Sequence, residues 1–258
     1  MINIATLGRR LWWPTLLVLV GMGILVRLGF WQLDRLALRQ AYNAEIAHRL
    51  ALPPLLLTGD ALPAELGQGG DVAALKNRPA SARGAYDFSH QVALKLQNWQ
   101  GAPGVHLVTP LLIEDSSRAV LVDRGWVPDA EAAPEKQHQF DEPEPVAVTG
   151  LIQLSQTLPA APSKPAGPQA DWYRLDIAAI QAQMPYRLLP VYIQQSPPPG
   201  GNSTLPYRVE PVFDLSDGPH LGYAVQWYIF ALIFGGGYGY YVYKHAASFM
   251  PRKGEDFR

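Results

Sequence analysis

The chain has six histidines and no cysteine. The missing thiols exclude disulfide scaffolds, thiolate zinc sites, iron–sulfur clusters and cysteine nucleophiles together. His48, His90, His106, His138 and His245 follow no ligand spacing, and each reads as a surface or internally satisfied polar residue. His220 differs. It stands just ahead of Leu221–Tyr243, 23 residues without a charge, and Tyr223, Ala224, Trp227, Phe230, Ala231 and Phe234 follow it at offsets of 3, 4, 7, 10, 11 and 14. That is the spacing of one helix face. From spacing alone, His220 is an interfacial residue and Tyr223 and Trp227 belong to the aromatic belt of a membrane helix. Gln226 is an amide inside the same apolar segment, costly there unless a second helix or a bound group takes its hydrogen bonds. Arg35 follows Trp31 by one helical turn, and Arg124 ends an apolar run before Gly125. A planar guanidinium at either place suits a carboxylate. No G-x-S-x-G, H-E-x-x-H, G-x-x-x-x-G-K or strand-linked G-x-G-x-x-G is present, and the carboxylates form no evident catalytic pair.

These residues need elements to position them, and composition bounds what those elements are. The 258 residues carry 21 basic and 22 acidic side chains, for a net charge of -1. Such a balance argues against nucleic acid as a partner. An apolar content of 48% with 17% charge excludes a disordered chain. The 23 glycines and 24 prolines imply many turns and a β-rich body. A mean hydropathy of -0.03 averages over an uneven chain, because the apolar residues gather at both ends.

Leu11–Val26 carries no charge, and the apolar run continues to Leu33 with only Arg27 interrupting; that arginine snorkels outward. A helix over Leu221–Tyr243 would be about 34 Å long, enough for a hydrocarbon core of about 30 Å. Two membrane spans are therefore expected, at 11–33 and 221–243. Trp31, Arg35, Leu38 and Tyr42 keep helical spacing past the first, and no small-x-small cleavage site follows it, so it reads as an uncleaved anchor. Arg9, Arg10, Lys244, Arg252, Lys253 and Arg258 flank the outer ends, against Arg35, Arg39 and Arg208 on the inner ends. This bias puts the N-terminus (1–10) and the tail (244–258) in the cytoplasm and 34–220 outside. A bacterial plasma membrane is the expected setting. Small-residue pairs, Gly235 with Gly239 and Gly21 with Gly23, allow the spans to approach closely.

The middle reads as β-rich and mainly antiparallel, an α+β domain. Arg83–Phe88, Gln91–Trp99, Val105–Ile113, Ala119–Val127, Val146–Leu154, Val191–Gln195 and Tyr207–Phe213 are short runs bounded by turn residues. Asp87–His90 and Glu114–Ser117 read as hairpin turns. A short helix is expected at Asp176–Met184, capped by Asp176 and stopped by Pro185. Thr157–Ala170, with four prolines, reads as an exposed loop, and Ser196–Asn202 as a second break.

Three segments carry a specific resemblance: Gly29-Phe30-Trp31-Gln32-Leu33-Asp34-Arg35-Leu36, Leu121-Val122-Asp123-Arg124-Gly125-Trp126-Val127-Pro128, and His220-Leu221-Gly222-Tyr223-Ala224-Val225-Gln226-Trp227-Tyr228-Ile229-Phe230-Ala231. In this order and spacing the chain resembles the surfeit locus protein one (Shy) family of cytochrome c oxidase assembly factors. The loop at 51–79 and the proline-rich stretch carry no part of it. The resemblance implies no enzyme turnover but help in maturing the oxidase's catalytic subunit. Haem a is the implied cofactor and His220 its iron ligand. Tyr223, Gln226, Trp227 and Trp31 would then surround the macrocycle, and Arg124 or Arg35 would pair with a propionate. For the arginines, an internal Arg–carboxylate pair is the competing reading. The implied partners are the oxidase catalytic subunit, the lipid bilayer and haem a synthase. A cofactor-free chaperone of the same oxidase is the alternative function, and an unrelated membrane-anchored enzyme or sensor the third.

Overall fold

A computed structural model describes residues 4–60, 63–66, 70–156 and 169–245. Among these, four helices run in chain order as α1 (Ile4–Ala51), α2 (Pro134–Gln137), α3 (Ile177–Gln181) and α4 (His220–His245). Eight strands accompany them: β1 (Leu55–Leu57), β2 (Pro79–Tyr86), β3 (Val92–Trp99), β4 (Ala102–Ile113), β5 (Arg118–Pro128), β6 (Val146–Leu154), β7 (Asp171–Trp172) and β8 (Arg187–Gln195). The chain divides into two compact units, one made of the residues up to Glu45 with those from Asp214, the other Ile46–Phe213.

The first unit is a helix pair. In α1, Thr15, Val18, Met22, Leu25, Gly29, Gln32, Leu36, Arg39 and Asn43 are among the half-buried and buried positions, and they follow alternating steps of three and four. That repeat is the seam of a helix that packs along one partner. Its partner is α4, and the pairing is antiparallel. Thr15 meets Tyr238 (2.6 Å between hydroxyls), and a Cβ at Gly21 would lie 2.7 Å from the Phe234 ring. At the crossing, Gly235 packs on Met22 and Gly29 on Tyr228. Gly23 and Gly239 touch nothing within 4 Å, so one glycine of each expected pair marks the seam. Before α4 begins, the chain is tied to α1. Arg39 donates to the carbonyls of Asp214 (2.7 Å) and Ser216 (3.1 Å), and Asn43 to Leu215 (2.8 Å). These bonds make residues 34–45 and 214–219 part of the helical unit.

Among the described residues, α1 supplies the helix long and apolar enough to cross a membrane. The second helix forms where expected, but five glycines and six tyrosines dilute its apolarity, and it does not meet that standard.

The second unit is a sheet whose order is β1-β2-β6-β8-β5-β4-β3-β7, with β2 also paired to β4. The extra pairing closes β2, β6, β8, β5 and β4 into a ring. Inside lie Leu57, Leu111, Val120, Val122, Val148, Ile152 and Ile193, all fully buried. Five of the ladders are antiparallel and three (β1–β2, β3–β7, β5–β8) parallel, so the β-rich, mainly antiparallel expectation holds. Strand β5 is central and buried on both faces: Val120 and Val122 point into the ring, Ala119 and Leu121 to a cluster with Trp172, Leu175 and Ile180. That is why its sequence is almost continuously apolar.

Three local expectations are corrected. Tyr207–Phe213 forms no strand among the described residues; only Tyr207 bridges to Trp126, because Pro206 and Pro211 lack donors and the Asn202 side chain occupies both backbone groups of Arg208 (2.6 and 2.8 Å). Asp87–His90 is a single 3-10 turn capped by Asp87; it joins β2 to β3, which are not neighbours, so it is no hairpin. The helix at α3 is shorter than Asp176–Met184, although Asp176 caps it by accepting from Ala179 N (3.1 Å), a contact worth about 1 kcal/mol. Of the loop expected at Thr157–Ala170, 157–168 lie outside the described residues.

Candidate functional site

The helix pair holds most of the expected site residues. His220 begins α4 and is half-buried. Its Nδ1–H donates to Oε1 of Gln32 on α1 at 3.0 Å, while Nε2 has no hydrogen-bond partner among the described residues. Gly218, at φ +69°, lies beside that free nitrogen: a Cβ there would stand 3.7 Å from Nε2 and 3.6 Å from Cδ2. Those are ordinary contact distances, and the glycine holds a backbone conformation that side chains rarely adopt. An unbonded imidazole nitrogen is a fit donor for a metal or haem iron.

The stripe that follows His220 is split by packing. Ala224 and Ala231 are buried against α1 (1% and 3% exposed), whereas Tyr223, Phe230 and Phe234 are 46–50% exposed. The alanines serve the seam, and the rings flank it. Trp227 is half-buried and meets Phe230 edge-on, with ring centroids 6.0 Å apart. Gln226 is exposed on α4 and makes no bond to α1; the side-chain bonds across the seam are His220 with Gln32 and Thr15 with Tyr238. On α1, the Arg35 guanidinium lies over its own helix's Trp31 ring, 5.6 Å from the centroid. Both are exposed, so that cation–π contact is a loose one, worth about 0.5–1 kcal/mol.

Arg124 belongs to the second unit, and its surroundings are of another kind. The β4–β5 register pairs Leu107 with Gly125 and Val108 with Asp123, leaving Arg124 as the extra residue of a β-bulge. A bulge re-aims a side chain, and here it turns the guanidinium into the body of the domain, where it is fully buried. Nε and Nη2 donate to Oε1 of Glu142 (3.3 and 3.1 Å), Nη1 to Oε1 of Gln91 (3.1 Å), and Nη2 also to the Phe140 carbonyl. The Tyr86 and Phe88 rings cover it at 4.9 and 5.0 Å. Arg208 reinforces the group, donating to the same Glu142 oxygen (2.7 Å) and, through Nε, to the Arg124 carbonyl (3.3 Å). Of the two roles open to Arg124, the structure shows the internal carboxylate pair. Burial also pushes the Tyr86 phenol up, with the Glu142 charge adding to it.

The neighbours of Arg124 in the same segment have equally local tasks. Gly125 sits at φ +119°, and a Cβ there would lie 2.5 Å from the Tyr207 carbonyl. Trp126, Trp99 and Tyr207 form a three-ring cluster, with Trp126 6.4 and 6.0 Å from the other two centroids and those 5.3 Å apart. Asp123 spans the bulge, accepting from Gly125 N (3.1 Å) and from His106 Nδ1 (2.9 Å). Burial lowers the His106 pKa, but the Asp123 hydrogen bond and charge outweigh it, and the net shift is upward.

Sequence reasoning passed over Gln32, Gly218, Glu142, Gln91 and Arg208. Gln32 was the most findable, an amide at seam spacing within the first motif. Among the described residues no group of three or more His, Asp or Glu stands ready to hold a metal ion.

These features sit in a chain with clear relatives. It is 27% identical over 225 residues to surfeit locus protein 1 of Gallus gallus, covering 78% of this chain and 66% of the relative. Surfeit locus protein 1 of Homo sapiens is 27% identical over 221 residues, covering 78% and 68%, and a SURF1-like protein of Monosiga brevicollis 28% over 138 residues, covering 50% and 49%. The chain thus spans about two thirds or less of the length of the curated relatives it matches first. A family model described as SURF1 family matches residues 19–232, a stretch that takes in the Gln32 turn of α1, the whole β-rich unit and the His220 end of α4, and with all three of those parts matched in one alignment the chain belongs to the SURF1 family.

Proposed function

We propose that this protein is a cytochrome c oxidase assembly factor that binds haem a and assists its insertion into the oxidase catalytic subunit. Family membership supports the oxidase, and one observation carries the cofactor: an imidazole at the head of α4 with Nδ1 occupied, Nε2 free and a glycine beside it. When bound, haem a would bring an iron that accepts an axial nitrogen and a lipophilic ring that needs shielding. His220 Nε2 supplies the nitrogen. Tyr223 and Trp227 supply flat apolar surface nearby, with Gln226 and Trp31 at its edge. Arg35, held to α1 only by a loose contact over Trp31, is the cation available to a propionate, since Arg124 is spent on Glu142. No bond of a substrate is made or broken; the chemistry is ligation, shielding and handover.

In this reading both α1 and α4 cross the membrane. Their antiparallel pairing and the basic residues beyond their outer ends support two spans with both termini in the cytoplasm and residues 34–220 outside. The oxidase catalytic subunit is the partner, with haem a synthase as the donor side. The test is spectroscopic. Protein purified from cells that make haem a should carry a Soret band, and His220→Ala should lose most of it while inserting at normal abundance. Wild-type protein without a band would favour the cofactor-free chaperone, and a variant with unaltered haem content would return His220 to the aromatic belt.

A further inference from the structure

We infer that Gln32 is a positioning residue: it fixes the tautomer of His220 and aims Nε2 outward, so that the first membrane helix takes part in the ligand site. The inference rests on the haem reading for its purpose, though not for its geometry. A neutral imidazole carries one proton, and the nitrogen that holds it cannot ligate. In the structure Nδ1 lies 3.0 Å from the Gln32 amide oxygen, an acceptor only, so Nδ1 bears the proton and Nε2 bears the lone pair. Gln32 is itself held in place by the seam. It is half-buried between Gly29, where the Tyr228 ring leaves no room for a side chain, and Leu36. The carbonyl that accepts from His220 is therefore presented by a packed helix rather than by a loop. Such outer partners orient a ligating imidazole and raise its basicity, and their loss commonly costs 10–100-fold in affinity.

The geometry also explains why the partner is an amide. A carboxylate at this depth would place an uncompensated charge beside the apolar seam, whereas an amide oxygen accepts the same hydrogen bond without one. Gly218 lies on the other side of the ring, where its φ of +69° favours glycine and an added Cβ would sit in contact with Cδ2 and Nε2.

The experiment uses the full chain in detergent, free of haem, with 15N-labelled histidine; the His220 signals are assigned by their loss in His220→Ala. The wild type should show a protonated Nδ1 and an unprotonated Nε2. Gln32→Leu should shift the ring toward the Nε2–H form and weaken haem binding about 10–100-fold, while Gln32→Glu should restore the Nδ1–H form, keep binding and lower the reduction potential of the bound haem. A wild-type ring protonated on Nε2, or a Gln32→Leu ring that does not change, overturns the role of Gln32 whatever haem does. A correct tautomer that responds to Gln32→Leu in a protein that takes up no added haem sustains the role of Gln32 and overturns instead the ligand reading of His220.

Discussion

Arg124 and His220 stand at the centres of two different units and use their nitrogens in opposite ways. Every nitrogen of the Arg124 guanidinium has an acceptor, the Tyr86 and Phe88 rings pack beside it, and the side chain is fully buried. The His220 imidazole has one nitrogen committed and, among the described residues, one without a hydrogen-bond partner, with a glycine beside it. Both lie in equally specific sequence motifs. Motif strength alone therefore does not separate a residue that holds the fold from one that serves a ligand; the saturation of its hydrogen bonds does.

The comparison breaks most visibly at Arg124. Removing the guanidinium leaves Glu142 with one cation instead of two, takes a donor from the Phe140 carbonyl and empties the space beside the Tyr86 and Phe88 rings. Arg124→Ala should destabilise the domain by about 3–5 kcal/mol, a large share of a typical total of about 5–15 kcal/mol. Thermal unfolding and protein abundance read this directly, and a domain that unfolds normally would mean the network contributes little. His220→Ala should leave the same unfolding curve in place.

Gly125→Ala sharpens the contrast at lower amplitude. It forces a side chain into φ +119° and against the Tyr207 carbonyl, and strained backbone of this kind costs on the order of 1–3 kcal/mol. Loss of the Trp126–Tyr207 stacking should be visible in near-ultraviolet circular dichroism.

The smallest expected effect belongs to His106. Its folded pKa is raised above the ordinary 6.5 by Asp123, so the protonated ring binds its proton more tightly in the folded state. That stabilisation is complete below pH 6.5 and fades as the pH rises through the raised folded value. His106→Gln should flatten the stability profile across that window. An unchanged profile would show that the Asp123 charge is already balanced elsewhere.

Much of the β unit was legible because alternation and turn chemistry are local signals. Strand β6 occupies Val146–Leu154 as the pattern implied, and Glu114–Ser117 does join the antiparallel β4 and β5. Strands β1 and β7, three and two residues long, are too short to carry a period. The alternation from Tyr207 misled because prolines and the Asn202 side chain removed the backbone groups a ladder needs. In the helix pair, the seam was readable as spacing, but its occupants were not. Gln32 and His220 are 188 residues apart, and Arg124 and Glu142 are 18 apart with no periodic relation. Such pairings are created by the fold, so a single sequence shows the residues and withholds their partners.

The closed ring of strands has its own weak point. The β4–β5 ladder holds nine residue pairs, whereas β2 meets β4 through only three, at Gly84, Ala85 and Tyr86. Gly84 permits that meeting, since a Cβ there would fall 1.9 Å from the Leu112 carbonyl. Local opening follows the least costly set of contacts, so amide hydrogens at this short junction should exchange with solvent before those of the longer ladders. Opening there would turn the ring into a sheet with two new unpaired edges, each a template for pairing with another chain. A junction of three residue pairs thus guards the domain's solubility as well as its shape.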